Sequence, residues 1–249
     1  MLGVILQGGL GNQLFQLAAA ETIASETNRN VYMLDKNSPY TSHSTSNYFL
    51  TIFSKFLDYP IIEEPYVIVD EPSFKKYDWN QLIPEGPACI KGYFQNWRYI
   101  SDDFISKLVL PECHTIDGAF IHIRGGDYVN NSLHHVDLTS YYKKAVEYFP
   151  TDTHFYIFTN DVQYAKTFTF LSKINHTFVN EDELMTLTMM SKCTKGGVCA
   201  NSSFSWWGAF LNPNRTIVMP GKWFKSSDKW EDLWIEGYYF PGVTKIDLV

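Results

Sequence analysis

Val4-Ile5-Leu6-Gln7-Gly8-Gly9-Leu10-Gly11-Asn12 reads as a short apolar strand running into a glycine turn, with Asn12 placed to cap a helix. Leu14, Leu17, Ala18, Glu21 and Ala24 then recur at helical spacing, and Val31-Tyr32-Met33-Leu34 is a second apolar strand. Strand, turn, helix and strand make a βαβ opening, which predicts an α/β fold.

The same alternation resumes near residue 117. Ala119-Phe120-Ile121-His122-Ile123 predicts a strand, and 138–149 predicts a helix with Tyr142, Ala145, Val146 and Phe149 on one face. Strands follow at 155–158, 198–200 and 216–219, with helical stretches at 184–190 and 205–211. Strands that alternate with helices imply a mostly parallel sheet. Residues 36–115 hold many aromatics and few clean periods, and one segment stands out there: Lys91-Gly92-Tyr93-Phe94-Gln95-Asn96-Trp97-Arg98-Tyr99. We place the boundary at 116, giving α/β halves of 1–116 and 117–249 with a cleft between them.

Composition narrows the function classes. The 249 residues carry 20 Lys and Arg against 27 Asp and Glu, a net charge of −7. A nucleic-acid binder needs surplus cations for the phosphate backbone, so that class is set aside. No apolar run is long enough to span a bilayer, which excludes an integral membrane segment and leaves peripheral association open. The apolar start lacks a basic n-region, so a cytoplasmic location is expected. None of the four cysteines forms a C-x-x-C pair and the seven His are scattered, so no metal site is predicted. Aromatics reach 16%, which fits a filled core or a surface that stacks on sugar rings or bases.

Three segments carry chemistry. The first is the glycine turn, which departs from G-x-G-x-x-G by Leu14 at the third glycine, although Asp35 lies where a dinucleotide site wants an acid. The turn offers N–H groups at a helix start, plus Gly11 and the Asn12 amide, to an anion or a sugar hydroxyl. The second is His122-Ile123-Arg124-Gly125-Gly126-Asp127. His122 and Arg124 share one face of a strand, and an Arg at a strand's carboxyl end suits a two-pronged grip on phosphate, or an ordinary ion pair. Asp127 can orient that Arg, accept a proton or cap a turn. The third is Asn201-Ser202-Ser203-Phe204-Ser205-Trp206-Trp207, a Ser-rich turn opening a helix whose N–H groups can be capped or can bind phosphate oxygens. Trp206 and Trp207 are expected to pack the helix onto the sheet.

In their order along residues 3–224, several runs resemble glycosyltransferase family 11, the α-1,2-fucosyltransferases. They are Gly8-Gly9-Leu10-Gly11-Asn12-Gln13-Leu14-Phe15-Gln16, Gly92-Tyr93-Phe94-Gln95, His122-Ile123-Arg124 with Gly126-Asp127-Tyr128, the Ala200–Ala209 run, and Val218-Met219-Pro220 with Trp223-Phe224. The resemblance implies a GT-B fold, two Rossmann-like domains facing across a cleft, and an inverting, metal-independent transfer of L-fucose from GDP-fucose to a glycan hydroxyl with no cofactor. It implies that Arg124, aided by His122, holds the donor diphosphate together with Asn201, Ser202, Ser203 and Phe204. Gly11 and Asn12 would face the donor from the other domain. Asn160 and Asp161 would lie near the nucleotide, with Asp182 a candidate for reading guanine. For the acceptor proton we take Asp127 as the candidate base, and Tyr93, Phe94 and Trp97 are candidate walls for the acceptor. The family usually has a second Arg after the first, where this chain has Gly125, and Tyr164 stands where a Trp is common. A different nucleotide-linked deoxysugar therefore stays open, as do a nucleotide-dependent oxidoreductase and a non-catalytic sugar-binding protein.

Overall fold

Parallel pairing governs every ladder in the computed structural model, which describes residues 1–33, 46–61, 66–72, 77–212, 215–225 and 237–248. Asp35 and the Leu34 end of the expected second strand lie outside the described residues. The chain divides into two compact units, Met1–Leu110 with Leu233–Tyr238, and Pro111–Asp232 with Tyr239–Val249.

The first unit contains β1 (Leu2–Val4), α1 (Leu10–Glu26), β2 (Val31–Met33), α2 (Ser46–Phe49), β3 (Val67–Asp70), β4 (Ala88–Lys91) and α3 (Asp102–Lys107). Its sheet runs β2-β1-β4-β3, with Leu2 opposite both Val31 and Ala88. Alanines and leucines of high helical propensity fill α1, and 12 of its 17 residues are buried, so the helix is enclosed nearly all round. It begins at Leu10 with Gly9 at the cap position and no side-chain cap. Asn12 lies inside the first turn, which corrects its expected role as the cap; its carbonyl is taken by Gln95 instead. The aromatic-rich middle of the chain supplies core: Trp79, Phe94 and Tyr99 are fully buried, and the Trp79 indole donates to the Tyr99 hydroxyl at 2.9 Å.

The second unit holds β5 (Ala119–Ile123), α4 (Thr139–Ala145), β6 (His154–Thr159), α5 (Val162–Ala165), β7 (Asn175–Val179), α6 (Glu183–Lys192), β8 (Gly196–Val198), α7 (Ser203–Phe210), β9 (Thr216–Pro220) and β10 (Val243–Ile246). Its order is β10-β9-β8-β5-β6-β7. Every residue of β5 is buried, as a central parallel strand requires. Two tyrosines of α4 pin the strand ends: Tyr142 donates to the His122 carbonyl at 2.8 Å, and Tyr141 donates to the Cys199 and Val218 carbonyls at 2.8 and 2.9 Å. Strand β8 starts two residues earlier than its apolar tail predicts. Both of its glycines are there for space: a Cβ on Gly197 would sit 2.2 Å from the Phe120 ring, and one on Gly196 (φ +95) only 2.0 Å from the Thr216 carbonyl oxygen.

Each sheet has one place where the chain reverses its direction of travel. In the second unit the strands step β5, β6, β7 one way, then β8, β9, β10 the other, so the switch lies between β5 and β8. In the first unit β1 leads out to β2, while β3 and β4 return on its other side, so the switch lies between β1 and β4. Ligands of open parallel sheets bind outside the carboxyl ends of strands at such points. The turns leaving β5, β8, β1 and β4 carry the motifs singled out above. All the described cysteines are unpaired.

Candidate active site

At the β5/β8 switch the positive charge is held on two sides. The Arg124 guanidinium donates to the Asp127 carboxylate at 2.7 Å and lies 5.0 Å over the Tyr128 ring. Tyr128 in turn stacks on His134, with centroids 4.9 Å apart and planes at 19°. Burial pushes His134 below its usual range, with the Asp127 charge opposing that shift and the Arg124 charge adding to it. The Asn201 amide donates to the His134 and Trp223 carbonyls, both at 2.9 Å, and the Lys225 N–H donates to the Leu133 carbonyl at 2.7 Å. Asn201 thus spends its N–H groups joining loops rather than facing outward.

His122 is 3% exposed and packs its ring 5.7 Å from Phe204. Burial first, then the nearby Arg124 charge, pushes its pKa down to about 3. It is a neutral hydrogen-bonding group at working pH and adds no charge to Arg124. Its Nδ1 and the Arg124 Nε are buried without a partner among the described residues. Opposite, α7 opens at Ser203 with Ser202 in the cap position. The Ser202 hydroxyl makes no capping bond, contrary to the expectation for this serine-rich turn. The Ser205 hydroxyl instead bonds back to the Ser202 carbonyl at 3.2 Å. The first amides of α7 are therefore left without a side-chain cap, beside the His122 ring that packs on Phe204. Trp206 and Trp207 are fully buried, and Trp206 stacks on Phe210, as packing residues do.

Asn160 and Asp161, leaving β6, shape the neighbouring turn. Asn160 accepts the Gly125 N–H at 2.9 Å, while Asp161 accepts the Gly126 N–H at 3.3 Å and caps α5 through the Tyr164 N–H at 2.9 Å. A Cβ on Gly125 would lie 2.6 Å from the Asp161 Cβ and 2.9 Å from the Tyr164 ring. The space beside this backbone is already filled, so no second arginine fits there without moving α5. Asp182 stands apart, capping α6 after the edge strand β7 by accepting the Met185 N–H at 2.8 Å.

The first unit builds its own turn pair at β1/β4. Gly8 takes φ +77, and a Cβ there would meet the Asn12 amide nitrogen at 2.5 Å. The Gln16 side chain bridges the Gln7 N–H at 2.9 Å and the Gly92 carbonyl at 3.1 Å, tying the two turns together. Gln95 donates to the Asn12 carbonyl at 2.7 Å and accepts from the Tyr238 hydroxyl. With its oxygen taken, Asn12 keeps an NH₂ to offer. Gly11 is buried in the first turn of α1, and Tyr93 and Trp97 are half-buried on the turn after β4. Behind that turn the Glu71 carboxylate accepts the Tyr93 and Phe94 N–H groups at 2.9 and 2.8 Å.

The structure thus gathers His122, Arg124, Asp127, Asn160, Asp161, Asn201, Ser202, Ser203 and Phe204 at one end of the second sheet, and Gly11, Asn12 and Tyr93 at one end of the first. Reading the sequence missed Tyr128 and His134 as the support of Arg124, and Glu71 and Tyr238 as supports of the Gln95 turn. Tyr128 and Gln95 stood in motifs already quoted; His134, Glu71 and Tyr238 gave no signal.

The family model described as glycosyl transferase family 11 matches residues 108–235, just over half the chain. The chain is 27% identical to the O-antigen biosynthesis glycosyltransferase WbnK of Escherichia coli, over 92% of this chain and 98% of the relative. It is 25% identical to an alpha-1,2-colitosyltransferase of Escherichia coli, over 90% and 92%. Among solved structures it resembles the fucosyltransferase NodZ from Bradyrhizobium at 14% identity and a TM-score of 0.52, covering 85% of this chain and 93% of that one. A glycosyl transferase family 9 protein from Veillonella parvula superposes with a TM-score of 0.53 at 10% identity, over 99% and 86%. The fold is thus of the GT-B type seen in these transferases.

Proposed function

Since this chain belongs to glycosyl transferase family 11, we propose that it transfers L-fucose from GDP-fucose to a hydroxyl of a glycan acceptor, inverting the anomeric carbon without a metal ion. The observation that carries the reading is that adjacent strands β5 and β8 lead, at the switch, into Arg124 and into the uncapped start of α7 respectively. In the transfer, the bond from the sugar C1 to the diphosphate oxygen breaks while an acceptor oxygen attacks the opposite face. Arg124 and the α7 amides meet the charge that develops on the leaving diphosphate. His122, held neutral, adds a hydrogen bond to the same oxygens. Asn12 offers its NH₂ to a donor oxygen, and Asp127 takes the acceptor proton. The relative named for O-antigen biosynthesis supports an oligosaccharide of that kind as the acceptor class. We place the reaction in the cytoplasm. No helix among the described residues is long and apolar enough to cross a membrane.

One observation favours a second donor within the same mechanism. Gly125 leaves a single arginine at the diphosphate, and a relative is named for transfer of colitose, so another GDP-linked deoxysugar is the competing substrate. Release of GDP from a panel of GDP-sugars, with and without acceptor, decides between them. GDP-fucose should turn over fastest, EDTA should leave the rate almost unchanged, and loss of activity on chelation with rescue by manganese would overturn the metal-free mechanism.

Asp127→Asn tests the base. If Asp127 takes the proton, turnover falls by roughly 100-fold or more while GDP affinity stays within a few-fold, because a base acts only in the transition state. Equal losses in both would reduce Asp127 to orienting Arg124. The pair is too exposed to matter for stability, with the Asp127 side chain 63% accessible, so the melting temperature serves as the control.

A further inference from the structure

Glu71 is an enclosed carboxylate that the transfer mechanism leaves without a task. It follows β3 directly, and no lysine or arginine among the described residues pairs with it. One of its oxygens takes both the Tyr93 and Phe94 N–H groups, and the other is buried with no partner among the described residues. Phe94, whose amide it holds, sits at φ +51, a left-handed conformation that a bulky residue keeps only when its surroundings enforce it. The approach is close enough that Gly92 has no room for a side chain: a Cβ there would lie 2.4 Å from the Glu71 Cβ. Gln95, the next residue along, is the one that grips Asn12.

A strained turn, a carboxylate with no cation paired to it among the described residues and a forced glycine therefore meet at one place. We propose that Glu71 is a positioning residue for the transfer reaction: by holding the Tyr93–Phe94 amides it fixes Gln95, which aims the Asn12 NH₂ at the donor. This rests on the transfer reading given above. Burial pushes the Glu71 carboxyl up to about 7, with the two amide bonds opposing that rise. Among the described residues the Tyr99 phenol feels the Glu71 charge, and it is itself raised by burial and uncharged throughout the working range. A carboxylate whose pKa is raised in the fold favours folding most when protonated, and that contribution is lost as pH rises from about 4.5 through about 7. Its charged form is thus a burden on stability, retained for the turn it holds.

Glu71→Gln separates this role from mere packing. At pH 8 the variant should lose at least tenfold in kcat, keep GDP affinity within about twofold, and melt no lower than wild type. Amide hydrogen exchange across 92–96 should be faster in the variant. The fall in wild-type kcat as pH drops through about 7 should be absent from it. Unchanged kcat, unchanged exchange, or a kcat loss accompanied by an equal loss of stability would each overturn the proposal. If wild type releases GDP from no GDP-sugar, the transfer reading is what has failed. The exchange comparison then still decides whether Glu71 holds the turn.

Discussion

Arg124→Ala is expected to nearly abolish transfer while leaving the protein folded. Arg124 is the one guanidinium at the β5/β8 switch, and neighbouring His122 stays neutral. A charge-assisted contact to a developing anion in a dry site contributes roughly 2–4 kcal/mol, or on the order of 30- to 1,000-fold in rate. Arg124→Lys should recover little. A lysine cannot donate through two prongs to a diphosphate, and it cannot lie flat on Tyr128 while bonded to Asp127 as the guanidinium does. Steady-state GDP release measures the rate, and circular dichroism melting measures the fold. A variant retaining more than about a third of wild-type turnover would remove Arg124 from the leaving group's stabilisation.

Gly196→Ala should be the most destabilising single-methyl change in the second unit. Its φ of +95 is one that L side chains rarely adopt, and the added carbon would meet the backbone oxygen of Thr216, its partner across the β8/β9 ladder, at 2.0 Å. Strain and a backbone clash in a central ladder together cost about 4 kcal/mol. Two other glycines separate the causes. Gly242 has a φ of +90 with open space around it, so Gly242→Ala should cost about 1 kcal/mol from conformation alone. Gly9 has φ −78 and nothing within 4 Å, so Gly9→Ala should leave stability nearly unchanged. Urea unfolding of the three variants gives the ranking, and a Gly196 variant as stable as the Gly9 variant would contradict the described β8 pairing.

The central strands of the second sheet were legible because a parallel strand buried on both faces is a continuous apolar run, as Ala119–Ile123 is, whereas Ala88–Lys91 inside the first sheet went unread. Three of the edge strands were not. Asn175–Val179 is partly exposed, carries polar residues and resembles a loop when read alone, and Val67–Asp70 is a short, largely exposed apolar run between Pro65 and Pro72. Val243–Ile246, at the other edge, went unread for the same reason. Gly196 and Gly197 hid the start of β8, since glycine normally marks a turn and here makes room for Phe120 and Thr216. Much of the site was legible because its residues follow strand ends within a few positions. The supports were not, because their contacts join distant stretches: Glu71 reaches amides 22 and 23 residues away, and Tyr238 reaches Gln95 across 143. The caps failed for a related reason. Asn12 has the right side chain beside the right helix, but its carbonyl is taken by Gln95, a partner that only the folded chain brings near, while Ser202 holds the cap position of α7 without making the bond.

The Asn201 amide, bonded to carbonyls at His134 and Trp223, stitches together the loops that leave β5, β8 and β9, three adjacent strands. Lys225 adds a second stitch to Leu133. Loops joined in this way do not evolve one at a time. A substitution in the β9 loop shifts the His134 platform and, through Tyr128, the angle of Arg124, so its effect depends on what the other two loops already contain. Combined substitutions across these loops should depart from additivity in the stability they cost.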